Sequence, residues 1–216
     1  MSASDETFHT YCRRRLPHWR LAGATYFVTF RLVDSVPASV ISQWNEEYRT
    51  WYAAHGLSDD MTKDEWQDAF NAIPEAERRA FERKRAARFF LELDRGHGEC
   101  LLRHPQAARI VADALWFHHG KRLNGGDFVI MPNHVHWLLT PLDGNALEEI
   151  LQSVKRFSAT QINHQFGRAG KLWQKESHDH IVRDEKELLR IRAYIKHNPE
   201  KALLKPNEYL YYCAED

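Results

Sequence analysis

Phe128-Val129-Ile130-Met131-Pro132-Asn133-His134-Val135-His136-Trp137-Leu138-Leu139 is the stretch that decides how this chain folds. Two runs of β-branched, aromatic and aliphatic side chains flank a Pro-Asn pair, the composition of two strands and the turn between them. The stretch therefore reads as a β-hairpin. In its second half His134 and His136 stand two apart, so on a strand both imidazoles leave one face while Val135 points to the other. The Gly125-Gly126 pair just upstream reads as a break in the chain before the hairpin begins.

Working outward, Leu147, Ile150, Leu151, Val154, Phe157 and Ile162 recur at helical spacing up to about Gly167, with Lys155 and Arg156 on the polar side. A short strand follows over 178–182. Asp184 then caps a last helix, with Glu187 at the capping-box position and Leu188, Ile191 and Ile195 on its apolar side. Upstream of the hairpin, Ile110, Val111, Ala114 and Leu115 mark a helix over 105–119. Farther back, Ala24-Thr25-Tyr26-Phe27-Val28-Thr29-Phe30-Arg31-Leu32 reads as a strand covered on both faces.

Residues 37–95 interrupt this pattern with helical sequence. Val40, Ile41, Trp44, Tyr48 and Tyr52 form one apolar stripe, Thr62 with Glu65 makes a capping box, and a charged helix runs from Pro74 to about Glu92. With that insertion set aside, the order is β-α-β-β-α-β-α. It predicts a ferredoxin-like α+β fold, an antiparallel sheet with helices on one face. Residues 1–216 read as one domain carrying a helical insertion.

Composition narrows the functional classes. No run approaches the roughly 18 apolar residues that a membrane span needs, and the start of the chain lacks a secretory layout, so a cytoplasmic location is expected. Cys12, Cys100 and Cys213 are odd in number and far apart, which argues against a disulfide framework or a cysteine zinc site. The formal net charge is zero. It is unevenly spread: residues 40–77 hold nine acids against two bases, leaving a positive excess elsewhere that can serve a polyanion.

Two constellations can carry chemistry. His134 and His136 converge on one locus and suit a divalent cation, although a pair of histidines on a half-exposed strand is the plainer reading. Tyr194 lies on the last helix roughly 60° to 120° from the centre of its apolar side, taking about 100° per residue. Asn198, one turn on, shares that flank and can offer an amide oxygen to a metal. Core packing of the tyrosine is the alternative.

The surroundings of these residues bear a family resemblance. Arg15-Leu16-Pro17-His18-Trp19 leading into Tyr26-Phe27-Val28-Thr29-Phe30-Arg31-Leu32 resembles the opening of the REP-associated tyrosine transposases. Met131-Pro132-Asn133-His134-Val135-His136 resembles that family's histidine-hydrophobe-histidine metal motif. Leu172-Trp173-Gln174, Asp179-His180-Ile181-Val182-Arg183-Asp184 and Tyr194-Ile195-Lys196-His197-Asn198-Pro199 match in order and spacing. Many relatives follow Asn-Pro with a small residue and a glycine, whereas this chain continues Glu200-Lys201-Ala202-Leu203-Leu204.

The resemblance implies an HUH nuclease fold, Tyr194 as nucleophile, and His134, His136 and Asn198 as ligands of a divalent metal, Mg²⁺ or Mn²⁺. It implies cleavage and transfer of single-stranded DNA beside a hairpin, such as a palindromic repeat, through a 5′-phosphotyrosine intermediate. Arg13, Arg14, Arg15, Lys155 and Arg156 are then expected on DNA phosphates, with Trp173 stacking on a base. The protein would act as a monomer or homodimer. His178 and His180 are read as strand residues near the site. A non-cleaving hairpin-binding regulator of the same fold, and a metal-dependent hydrolase or oxygenase, are the competing readings.

Overall fold

The computed structural model describes residues 23–214. These fall into two compact units. One spans Val36–Glu92, and the other joins the stretch ending at Ser35 to the stretch beginning at Leu93.

The second unit contains a five-stranded antiparallel sheet: β1 (Tyr26–Arg31), β2 (Leu123–Ile130), β3 (His134–Pro141), β4 (His178–Ile181) and β5 (Leu210–Tyr212). The spatial order is β4-β1-β3-β2-β5. Its first four strands have the ferredoxin-like arrangement expected from the hairpin and its flanks. β5 extends the edge beyond β2, pairing Phe128 with Tyr212. Three residues carry too little periodicity for this strand to be read from sequence.

Alternation along the strands sorts the two faces. Val28 and Phe30 of β1, Phe128 and Ile130 of β2, and Val135 and Trp137 of β3 form one apolar cluster with two helices of this unit, Pro105–Trp116 and Leu147–Gln165. Trp137, 1% exposed, is among the largest side chains fully enclosed there. Numbering the helices along the chain makes the insertion α1 (Ala38–Ala54), α2 (Lys63–Ala72) and α3 (Glu75–Asp94), the helices just named α4 and α5, and the last one α6 (Glu185–Lys201).

The opposite face carries Phe27, Thr29 and Arg31 beside Leu138, His136 and His134 in register. α6 lies over this second face, because its Tyr194 meets Phe27 and His136. The expectation of helices on one face is therefore corrected: α4 and α5 cover one side, while α6 crosses the other. β1 and β3 consequently need apolar or satisfied residues on both faces, and both are buried along nearly their full length.

The Gly125-Gly126 pair does not break the chain. It lies inside β2 at a register shift, where a Cβ on Gly126 would come within 3.1 Å of Leu138 Cβ and 3.2 Å of its carbonyl oxygen. Glycine there permits a bulge and close backbone approach, not an interruption.

In the first unit, the Thr62–Glu65 capping box forms as expected from sequence. Trp51 stacks on Phe81 with ring centroids 3.8 Å apart, and the Arg85 guanidinium lies 4.2 Å from the centre of the Tyr48 ring. No helix among the described residues is long and apolar enough to cross a membrane.

Candidate metal and nucleophile site

His134 opens β3 directly after the Pro132-Asn133 turn, and His136 follows two residues later on the same face. Both are buried, at 1% and 0% exposure. Their Nε2 atoms stand 3.1 Å apart.

The far side of each ring is tied down. Asn133 Nδ2 donates to the carbonyls of Leu93 and His97, so its Oδ1 is the acceptor for His134 Nδ1, 2.7 Å away. His134 thus carries its proton on Nδ1 and presents a lone pair at Nε2. Thr29 Oγ1 lies 2.7 Å from His136 Nδ1 and can accept from it in the same sense. Phe27 stacks on His136 with centroids 5.4 Å apart, fixing the ring's tilt.

Burial holds the pKa of His134 down to about 3. Burial first, and then the proximity of the His134 and His178 imidazoles, hold His136 well below the usual histidine range. Both imidazoles are therefore neutral at physiological pH and available as ligands.

Tyr194 reaches this pair from α6. Its Oη lies 3.3 Å from His136 Nε2, and its ring sets an edge against Phe27. Ile191 and Ile195 are buried and seat the helix, while Tyr194 on its flank is half-buried, as its angular position predicts. Burial, and then the Asp94 charge, push the phenol well above the ordinary tyrosine range, with the Asn198 amide acting the other way. The Lys201 ammonium lies 5.3 Å from the centre of the Tyr194 ring.

Asn198, one turn on, is fully buried, and among the described residues neither its Oδ1 nor its Nδ2 has a hydrogen bond of normal geometry. An orphaned buried amide costs about 1–3 kcal/mol, which calls for a ligand. Two imidazole nitrogens at 3.1 Å match the edge of about 3 Å that adjacent ligands make at metal–nitrogen bonds of about 2.1 Å. The donors present thus fit a divalent cation. Among the described residues no three His, Cys, Asp or Glu side chains are grouped to hold a metal by themselves, so an amide such as that of Asn198 would have to complete the set.

The structure brings Tyr194, His134, His136 and Asn198 together. The expected DNA contacts are placed differently. Arg13, Arg14 and Arg15 lie outside the described residues. Lys155 Nζ donates to the carbonyls of Gln174, Lys175 and Glu176 and to Ser177 Oγ, and sits over the Phe30 ring. Trp173 is 7% exposed, donates to Ser158 Oγ and meets Phe30 edge-on. These placements have Lys155 holding the loop before β4 and Trp173 packed in the core. Arg156 is exposed on α5.

His178 pairs with Thr29 and so lies in the same row as His136, at the open edge of the sheet. His180 pairs instead with Glu187 at 3.0 Å, and Glu187 also accepts from the Arg183 amide. Both therefore lie on β4 near the site, as read from sequence.

Three residues at the site escaped sequence reading. Thr29 and Asn133 stood inside recognised stretches, but the bond of Thr29 depends on strand register and those of Asn133 on the chain at the end of α3 lying beside the turn. Asp94, at the end of α3, has an Oδ1 4.0 Å from His134 Nε2. It lies forty residues before His134, and no spacing rule connects them.

One comparison with known proteins falls on this assembly. Residues 121–198 match the family described as transposase, IS200-like, and the matched segment holds all four gathered residues. An uncharacterized protein of Haemophilus influenzae is 32% identical over 94 residues, covering 34% of this chain and 52% of that protein. The chain thus spans about half the length of that curated relative. The structure of a REP-associated tyrosine transposase bound to a REP hairpin aligns with a TM-score of 0.47 at 15% identity, covering 86% of this chain and 72% of that one.

Proposed function

We propose, from the match of residues 121–198 to the IS200-like transposase family, that this chain is a metal-dependent single-stranded DNA endonuclease and strand transferase acting beside DNA hairpins. The observation that carries the proposal is the approach of Tyr194 Oη to within 3.3 Å of His136 Nε2, next to the Asn198 amide, which has no hydrogen bond of normal geometry among the described residues.

In this reading His134, His136 and Asn198 hold a Mg²⁺ or Mn²⁺ ion. The ion, when bound, would stabilise negative charge growing on the scissile phosphate. Tyr194 is the nucleophile. Its oxygen forms a bond to phosphorus as the bond to the 3′ oxygen breaks, so the phenol loses a proton and the departing oxygen gains one. The product is a 5′-phosphotyrosine and a free 3′-hydroxyl, and attack by a 3′-hydroxyl reverses the step without a nucleotide cofactor.

The chain's residues prepare this step in distinct ways. Ile191 and Ile195 fix α6, and Phe27 limits the swing of the phenol, which favours an in-line approach. The raised phenol pKa keeps Tyr194 protonated and weakly nucleophilic without a nearby cation. Lys201 adds positive charge beside the ring, favouring the phenolate as it forms.

The test is covalent. Incubated with a hairpin-bearing oligonucleotide and Mn²⁺, the protein should give a denaturation-resistant adduct, absent in Tyr194→Phe and strongly reduced in His134→Ala. Cleavage that persists in Tyr194→Phe would overturn the assignment. Hairpin binding with no cleavage of any strand would favour the non-cutting regulator.

A further inference from the structure

We infer that Asp94 is a further ligand of the cation held by His134, His136 and Asn198, giving the site two imidazoles, one amide and one carboxylate. The inference rests on the reading of these residues as a metal site.

Position argues for it first. Asp94 Oδ1 lies 4.0 Å from His134, and the nearest atom is Nε2, the nitrogen left with a lone pair, not Nδ1. The same Asn133 that orients the His134 ring also grips the backbone on either side of Asp94, through the carbonyls of Leu93 and His97. Imidazole and carboxylate are thus set by one amide, the kind of outer-shell support that metal ligands receive.

The energetics of Asp94 point the same way, since the Lys201 charge offsets its burial only in part. It is the last residue of α3, where the helix dipole disfavours negative charge. Its side chain is 20% exposed, and Oδ1 has no hydrogen-bond partner among the described residues. An ionised carboxylate in such surroundings is costly unless a cation meets it. Two neutral imidazoles and an amide offer a divalent ion no negative charge. One carboxylate and the single charge of a phosphodiester would neutralise it, so Asp94 supplies the half that substrate does not.

The spacing also explains why the three side chains do not form a closed cage as they stand. Oδ1 is about 1 Å farther from His134 Nε2 than adjacent ligands are at bonds of about 2.1 Å. A modest side-chain rotation of the carboxylate closes that gap. Hard oxygen donors added to the imidazoles also favour Mn²⁺ or Mg²⁺ over softer ions.

The experiment is Mn²⁺ titration of the full chain without DNA, followed by electron paramagnetic resonance, with the metal-induced rise in Tm as a second readout. Asp94→Asn should weaken Mn²⁺ binding by at least tenfold and shrink the Tm rise, as should Asn198→Ala, while His134→Ala should abolish both. Circular dichroism in chelator checks folding, and Asp94→Ala replaces the asparagine variant if that one fails. Asp94→Asn binding Mn²⁺ like the parent, with His134→Ala unable to bind, would overturn the carboxylate ligand and leave the metal site standing. Unchanged Mn²⁺ affinity in Asp94→Asn together with lost cleavage would overturn it equally. His134→Ala binding like the parent would remove the site itself.

Discussion

Tyr194 Oη stands 3.3 Å from His136 Nε2, although the two residues are 58 positions apart and belong to different elements. The contact exists because α6 crosses the sheet face opposite α4 and α5, so the hydroxyl descends onto imidazoles that alternation has already turned to that side. The apolar cluster lies on the other face and contains none of these groups. Removal of metal by chelator should therefore abolish the covalent DNA adduct while leaving far-UV circular dichroism unchanged. Restored Mn²⁺ should recover the adduct. Loss of helical signal on chelation would show instead that the cation holds the fold.

Thr29 offers a test of ring orientation. Its hydroxyl lies 2.7 Å from His136 Nδ1 in a fully buried setting. Thr29→Val keeps the shape and removes the acceptor, so His136 loses the partner that favours a proton on Nδ1 and an unprotonated Nε2. Mn²⁺ affinity should fall by about 10- to 100-fold, with a stability loss of about 1–3 kcal/mol for the unpaired buried nitrogen. Isothermal titration and urea unfolding separate the two effects. Unchanged affinity would mean that Phe27 and the strand alone set the ring.

The acidity of Asp94 makes stability depend on pH in a direction that can be worked out. Burial raises its pKa to about 6, against the opposing pull of Lys201, whereas an unfolded aspartate titrates near about 4. Between those values the folded chain holds a proton that the unfolded chain has lost. Stability from this group therefore falls as pH rises through the window, and the full cost is present above it. Asp94→Asn has no proton to lose. Without metal it should match the parent near about pH 4 and exceed it by about 2 kcal/mol at about pH 7.5, after allowing for partial exposure. Urea unfolding in chelator at both pH values checks this. A difference that does not shrink toward pH 4 would rule out the carboxylate charge as its origin.

Much of this was legible in the sequence because the relevant rules are local. The two-residue spacing of His134 and His136 fixed a shared face, and the four-residue spacing of Tyr194 and Asn198 fixed a shared flank. What stayed hidden depends on which strand lies beside which, and on which face each helix covers. Thr29 reaches His136 only through the β1–β3 register, and Asp94 reaches His134 where Asn133 holds the Leu93 and His97 carbonyls. Lys155 and Trp173 show the converse: a basic residue on a polar helix side and a lone tryptophan, both expected at DNA from sequence, also have partners inside the fold, in the loop before β4 and in Ser158. Likewise, the glycine pair in β2 carries a bulge that composition alone cannot tell from a turn.

The end of α6 gives a prediction of opposite sign. Leu203 adopts φ 55°, the left-handed conformation in which helices commonly end on glycine, and its side chain is 89% exposed. Its amide donates to the Glu200 carbonyl and that of Leu204 to Pro199, so the backbone is held in this shape. A branched side chain there costs about 1–2 kcal/mol, and no burial offsets it. Leu203→Gly removes that strain but adds freedom to the unfolded chain, so a net gain of about 0.5–1 kcal/mol is expected. A rise in Tm of a few degrees, with unchanged adduct formation, is the expected calorimetric result. A fall in Tm would mean that the added freedom of the unfolded chain outweighs the relieved strain.

Lys155 and Arg156 are adjacent in sequence and should separate completely in experiment. Lys155 satisfies four acceptors of the 174–177 loop, so Lys155→Met leaves those groups short of a cation and should cost about 2–3 kcal/mol. Its ammonium is already engaged, so the salt dependence of hairpin-DNA binding should not change. Arg156 is exposed on the neighbouring position of α5, where Arg156→Ala should alter stability by less than about 0.5 kcal/mol. If Arg156 meets a phosphate, the slope of log affinity against log salt should fall by nearly one unit in that variant. Fluorescence anisotropy across a salt series, paired with urea unfolding, reads both quantities on the same proteins. A reduced salt slope in Lys155→Met at full stability would return that side chain to the DNA surface and contradict its role as a loop clamp.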